Sequence, residues 1–191
     1  MTWWLRVRRW HAALGSAVVS ALLVGAAGGH GVAIPTLLGG GLVPVPAAFI
    51  APLVGVIGLA YALENGDHRL AAVSVRPVRG WDAAYAAVLT GVVLAGCAVC
   101  ALTSSPETGL AGARNTIGYA ALCLAVRARA ATLAAVVPAA WAVAASAMGR
   151  SGEHVAFWAW PVAPAGDAVS WAWVVIALMA AVLLNSERRR R

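Results

Sequence analysis

Residues 12–63 read AALGSAVVSALLVGAAGGHGVAIPTLLGGGLVPVPAAFIAPLVGVIGLAYAL, without one Asp, Glu, Lys or Arg. A spanning helix needs roughly 20 mainly apolar residues to cross a hydrocarbon core about 30 Å thick, so this stretch has the length for two spans. The segment from His30 to Gly41, which carries glycines and a proline, divides them. The first helix is expected near 12–29 and the second near 42–63. Pro44, Pro46 and Pro52 fall in the second and kink it unless neighbouring helices re-satisfy the carbonyls that proline frees.

The same pattern continues outward, with further spans expected near 83–103, 111–126, 131–148 and 169–185. The chain has 191 residues, of which 62% are hydrophobic and only 11% charged, with a mean hydropathy of +0.82. These values lie outside the balance of a soluble domain. The expected fold is all-α: one polytopic transmembrane domain over residues 1–191, with six short-looped spans and no room for a soluble catalytic domain. Alanine and glycine dominate every span, which suits close helix packing in lipid. No cleavable signal peptide is expected, because the first apolar run is followed by further spans. Ahead of the first span, Trp3, Val7, Trp10 and Leu14 step by four, three and four, while Arg6, Arg8 and Arg9 fall on the other side of a helical wheel. Residues 1–11 therefore read as an interfacial amphipathic helix or as a plain basic cluster that fixes orientation.

The basic residues are all arginine. Alternate sides of the six-span layout collect them unequally: Arg6, Arg8, Arg9, Arg69, Arg76, Arg79, Arg127, Arg129 and Arg188 to Arg191 on one, Arg114 and Arg150 on the other. Short cytoplasmic loops hold the excess of basic residues, so both termini are expected in the cytoplasm, with the chain multi-pass in the cell membrane.

Several chemistries lack their residues. Without lysine there is no Walker A loop and no Schiff-base nucleophile. No G-x-S-x-G, no H-E-x-x-H and no intramembrane carboxylate pair is present, so the chain is not expected to be an enzyme. The arginines sit in short clusters between apolar stretches rather than along a groove with interleaved aromatics, which argues against nucleic acid as a partner. Cys97 and Cys100 share a helix face but have no second pair to complete a metal site, and packing is their expected role. The histidines, at 11, 30, 68 and 154, are scattered, which disfavours haem ligation. No metal or cofactor is expected in this chain.

Arg114 and Asn115 are the sharpest polar feature. Between Asn115 and Val126 the uncharged stretch gives only about 18 Å of helix, short of the core thickness. Either the fourth span is stunted and Arg114 snorkels at the outer interface, or the helix begins upstream and carries Arg114 into the membrane as a pathway or partner contact. The outer segment 149–168 holds Phe157, Trp158, Trp160, Pro161 and Pro164 and reads as an aromatic lid or short re-entrant element at headgroup level.

The longest inner connection, 64–82, reads ENGDHRLAAVSVRPVRGWD. It mixes both charge signs with Leu70, Val73 and Val75, as suits a short helix lying against the membrane or a protein. Glu64 at the end of span two, Leu70, Pro77 thirteen residues after Glu64, and the nearby Arg79 give a loop that resembles the coupling loop of type-2 ABC exporter permeases. Gly66 comes earlier than that family's glycine, no threonine follows it, and the chain is short for the family. The resemblance implies half of an export pathway, paired with a second permease subunit as a homo- or heterodimer. A separate P-loop ATPase, carrying ATP and Mg, would dock on Glu64, Asp67, Arg69, Arg76 and Arg79. Two other classes fit six spans: a substrate-capture component resembling those of energy-coupling-factor importers, with a pocket that opens outward and uses the aromatic loop near Trp158 and Trp160, and a non-transporting accessory or self-protection protein.

Overall fold

A computed structural model describes residues 9–27, 29–35, 42–64, 78–151 and 154–190. Among them the chain is mostly helical. Helix α1 is Trp10–Ala27, and a hairpin of β1 (Gly31–Pro35) and β2 (Leu42–Pro46) follows. Next come the single turn α2 (Ala47–Ile50), α3 (Pro52–Glu64), α4 (Val78–Thr103) and α5 (Pro106–Arg127). A 3-10 turn at Ala131–Leu133 leads into α6 (Val136–Met148). Beyond it lie the two-residue strands β3 (Arg150–Ser151) and β4 (His154–Val155), a 3-10 turn at Trp160–Val162, and α7 (Ala168–Arg190).

Four segments are long and apolar enough to cross a membrane: Ala47–Glu64, Gly80–Thr103, Ala131–Met148 and Ala168–Ser186. Their surface is inverted relative to a soluble protein. Leu22, Leu102, Val143, Ile176, Met179 and Leu183 are exposed, whereas Arg114, Asn115, Thr116, Ser20, Ser146 and Ser170 are buried. Exposed apolar area on this scale marks a surface that water does not cover, and the chain is a helical membrane protein.

The second expected span does not begin at Leu42. Residues 42–46 form β2, which pairs antiparallel with β1 so that Ala33 faces Pro44 and Gly31 faces Pro46. Pro44 and Pro46 push Val43 and Val45 away from helical geometry, and a two-stranded hairpin tolerates proline because each strand has an open edge. The helix proper breaks again at Ala51, just before Pro52. Carbonyls at this break find partners on other helices: Ser20 Oγ donates to Ala51 O at 2.8 Å, and Tyr119 Oη donates to Phe49 O at 3.2 Å. This is the compensation that a proline break in lipid requires.

The fourth expected span is longer than its apolar stretch. Helix α5 starts at Pro106, where Ser105 caps it by accepting from Thr108 N at 3.3 Å and proline occupies the first turn. Its 22 residues give about 33 Å, enough to span. It packs against α3, α4, α6 and α7 and is the central helix of the bundle. Its low apolarity follows from that position, since a helix walled by protein has no lipid to satisfy.

Helix α1 lies against α3 and α4, with Ala13, Ala17, Leu59, Leu63, Ala86, Leu89 and Val93 buried between them. A Cβ on Gly96 would stand 2.4 Å from Ala21 O, so the α1 and α4 backbones are in contact there. Such approach is how helices gain dispersion energy where lipid is as apolar as they are.

Contacts also relate the first described helix to the last. Arg9, just before α1, bonds the Tyr61 hydroxyl near the end of α3. Arg127 at the end of α5 reaches Leu63 O and Asp82, and Asn185 near the end of α7 reaches Leu124 O. The start of α1 and the end of α7 therefore lie on the same face of the bundle.

Candidate functional site

On α5, Arg114 lies eight residues beyond Pro106, about 12 Å into the helix. It is 0% exposed, as is Asn115. The guanidinium is not snorkelling. Nη1 donates to Pro164 O at 2.7 Å, and Nη2 donates to Trp160 O at 2.7 Å and Ala163 O at 2.9 Å. Asn115 Oδ1 accepts from Nε and Nη2, each at 3.3 Å, while Asn115 Nδ2 donates to Pro161 O at 2.7 Å. Two adjacent side chains thus hold four carbonyls of the segment between α6 and α7.

That segment needs such partners. Its prolines at 161 and 164 have no N–H to offer, and residues 159–163 and 165 are buried. Buried irregular backbone leaves carbonyls that must be satisfied from outside. The planar fork of arginine, with five donors, can meet several at once, which the compact ammonium of lysine cannot do with the same geometry.

Aromatic packing completes the site. The Trp160 ring lies 5.1 Å from that of Tyr119, tilted by 48°. Its edge occupies the space over Gly118, where a Cβ would come 2.5 Å from Trp160 Cη2. Trp160 is therefore a core anchor rather than a headgroup-level lid. Trp158 is separate from it and packs edge-on to Trp141, with centroids 5.8 Å apart.

Asp167, just before α7, caps that helix. Its Oδ2 accepts from Ser170 N at 2.9 Å and from the Ser170 hydroxyl. The carboxyl is held below its usual range, chiefly by the Ser170 hydroxyl. The Ser170 and Val169 N–H groups and the positive Arg114 act in the same direction, against an opposing effect of burial. Arg114 on α5 and Asp167 at the start of α7 thus place opposite charges beside the held segment, near enough to influence each other.

At the other end of α5, Arg127 Nη2 donates to Leu63 O at 3.2 Å and to Asp82 Oδ2 at 3.3 Å. Leu63 and Asp82 stand at the two roots of the connection 64–82, so Arg127 fastens both to the central helix. Glu64 is exposed at the end of α3. Arg79 falls in the first turn of α4, while Asp67, Arg69 and Arg76 lie outside the described residues, as do residues 1–8 of the expected interfacial helix. Sequence reasoning singled out Arg114, Asn115 and Trp160 but did not join them. It missed Tyr119, the Asp167 cap and the Arg127 clamp. The pairing of Asp82 with Arg127 had a signal, since they are the charged residues that border two apolar stretches on the same side.

Among the described residues no group of three or more His, Cys, Asp and Glu is arranged to hold a metal ion. The chemistry of the site is mechanical: a fixed cation and an amide tie one loop to the central helix, and a second cation ties the roots of another. Comparisons with family models, with curated proteins and with solved structures return no match to the chain.

Proposed function

We propose that the chain is the membrane-spanning subunit of an ATP-driven exporter of the type-2 ABC kind, forming half of a translocation pathway with a second permease subunit. In this reading six helices cross the cell membrane, with α1 and α5 joining the four most apolar segments. The face that carries Arg9, Arg127 and Asn185 is cytoplasmic, in line with the arginine distribution. A separate P-loop ATPase binds ATP and Mg and engages the connection 64–82.

The observation that supports this best is the double fastening of α5. Its inner end holds both roots of the connection through Leu63 and Asp82, and Arg114 holds the outer segment 160–164. A force applied to the inner loop has a continuous hydrogen-bonded route to the outer face. A loop that only reversed the chain would not need to be anchored to the central helix. The capture-component reading is less well supported, because Trp160 fills the space beneath the outer loop where a pocket would lie.

The test is purification in mild detergent from the native host. Recovery of a P-loop ATPase whose association is lost in an Arg76→Glu/Arg79→Glu variant supports the reading. Well-folded protein that recruits no ATPase refutes it.

A further inference from the structure

Between α1 and α3 the surface opens into a groove of about 370 Å³, lined by Ala12, Ser16, Val54, Ile57, Gly58 and Tyr61. We infer that this groove seats one acyl chain of an anionic phospholipid whose phosphate lies against Arg9. Three observations lead there.

The wall is apolar and asks for no hydrogen bonds. Of the two hydroxyls in its wall, Ser16 Oγ donates to Ala13 O at 2.8 Å and Tyr61 Oη accepts from Arg9. A sugar, nucleotide or peptide would leave its own polar groups unmet along this wall, whereas an acyl chain would not. The volume lies toward the low end of the range for small-molecule sites.

Among the described residues the lining itself carries no charge, and Arg9 stands at its Tyr61 end. Tyr61 is the groove residue nearest the end of α3, and Arg9 bonds its hydroxyl while lying over its ring, 5.5 Å from the centroid. A guanidinium has five N–H donors in a planar fork, a geometry suited to phosphate oxygens. Tyrosine and arginine at the mouth of an apolar channel match the layering of a bilayer leaflet, with headgroup above and chain below.

The same charge disfavours a second copy of the chain as occupant. In a two-fold pair this face would meet itself, bringing Arg9 toward its equivalent, like charge against like.

The full chain in nanodiscs made from equal amounts of phosphatidylglycerol and phosphatidylcholine tests this by native mass spectrometry. One phosphatidylglycerol should stay with each chain in preference to phosphatidylcholine. Arg9→Gln should abolish that preference and Arg9→Lys should keep it. Ala12→Phe, at an exposed position on the groove wall, should abolish retention while leaving thermal stability near that of the parent. Equal retention of the two lipids, or an unchanged preference in Arg9→Gln, overturns the inference. So does efficient disulfide cross-linking of an Ile57→Cys variant between copies, which would place a second chain in the groove.

Discussion

Replacing Arg114 by glutamine removes the guanidinium fork that holds the segment 160–164 and its charge, while leaving a neutral polar side chain. The carbonyls of Trp160, Ala163 and Pro164 lose their donors at positions where Trp160 and Ala163 are 5% and 2% exposed. Each orphaned buried acceptor costs about 1–3 kcal/mol, and two of the three carbonyls, those of Trp160 and Ala163, are buried. The expected loss is on the order of 2–6 kcal/mol, a large part of a domain stability of roughly 5–15 kcal/mol. Part of it will be relieved by the segment swinging toward water. Thermal unfolding in detergent reports the stability, and labelling of an Ala163→Cys probe by a membrane-impermeant maleimide reports the swing, in a background with Cys97, Cys100 and Cys123 replaced by alanine. With Arg114 present the probe should be protected, in Arg114→Gln it should label rapidly, and Arg114→Lys should fall between them. A probe that labels equally fast with and without Arg114, or a glutamine variant as stable as the parent, would refute the account of Arg114 as the residue that pins this loop.

Three further outcomes follow from the same geometry. Gly118→Ala, whose Cβ would meet the Trp160 ring at 2.5 Å, should destabilise by about 1–3 kcal/mol through overpacking, and a second change of Trp160→Leu should recover part of that in thermal unfolding. Asp167 has a depressed folded value, so its contribution is complete above its unfolded value of about 3.9 and is lost as pH falls through the lower folded value. Melting temperatures measured from pH 6 downward should therefore fall more steeply in the parent than in Asp167→Asn, while Asp167→Ala should lose about 1 kcal/mol of capping at neutral pH. The Asp82–Arg127 pair has side chains 11% and 15% exposed, and a double-mutant cycle with Asp82→Asn and Arg127→Gln should give a coupling near 1 kcal/mol that weakens with salt; a coupling of zero would mean that Arg127 acts through Leu63 O alone.

How far the sequence could be read depended on what surrounds each helix. Helices α4 and α7 and the segment Ala131–Met148 face lipid over much of their length, so their composition had to be apolar and their limits emerged within a few residues. Helix α5 is enclosed by protein, and its Glu107, Arg114 and Asn115 shortened the span that hydropathy alone would assign. Its true start was nevertheless written in Ser105–Pro106–Glu107, a cap, a first-turn proline and a first-turn acid in order. The pairing of β1 with β2 goes against the helix expected from residue 42: Pro44 and Pro46, spaced by two residues, turn Val43 and Val45 away from helical geometry. What no local pattern revealed were the partners across the bundle. Arg114 finds its acceptors 46 to 50 residues away, and Tyr119 reaches Phe49 across 70. The proline break at Pro52 announced that carbonyls needed donors without saying which helices would supply them.

The two arginines on α5 are separated by thirteen residues, about 20 Å along the axis and roughly 140° apart around it at 3.6 residues per turn. Arg114 accordingly faces the segment before α7, and Arg127 faces α3 and α4. Sliding α5 along its axis carries both attachments the same way, whereas rotating it swings them in nearly opposite directions. On the proposed exporter reading, a rigid helix held in this manner would convert a small shift at the roots of the connection 64–82 into a displacement of the segment 160–164 without breaking its own backbone hydrogen bonds. That also gives a reason for the least apolar helix to occupy the centre. Polar side chains that fasten loops on both faces are costly against lipid and affordable only where protein surrounds them, so the helix that joins the two faces is the one that the others enclose.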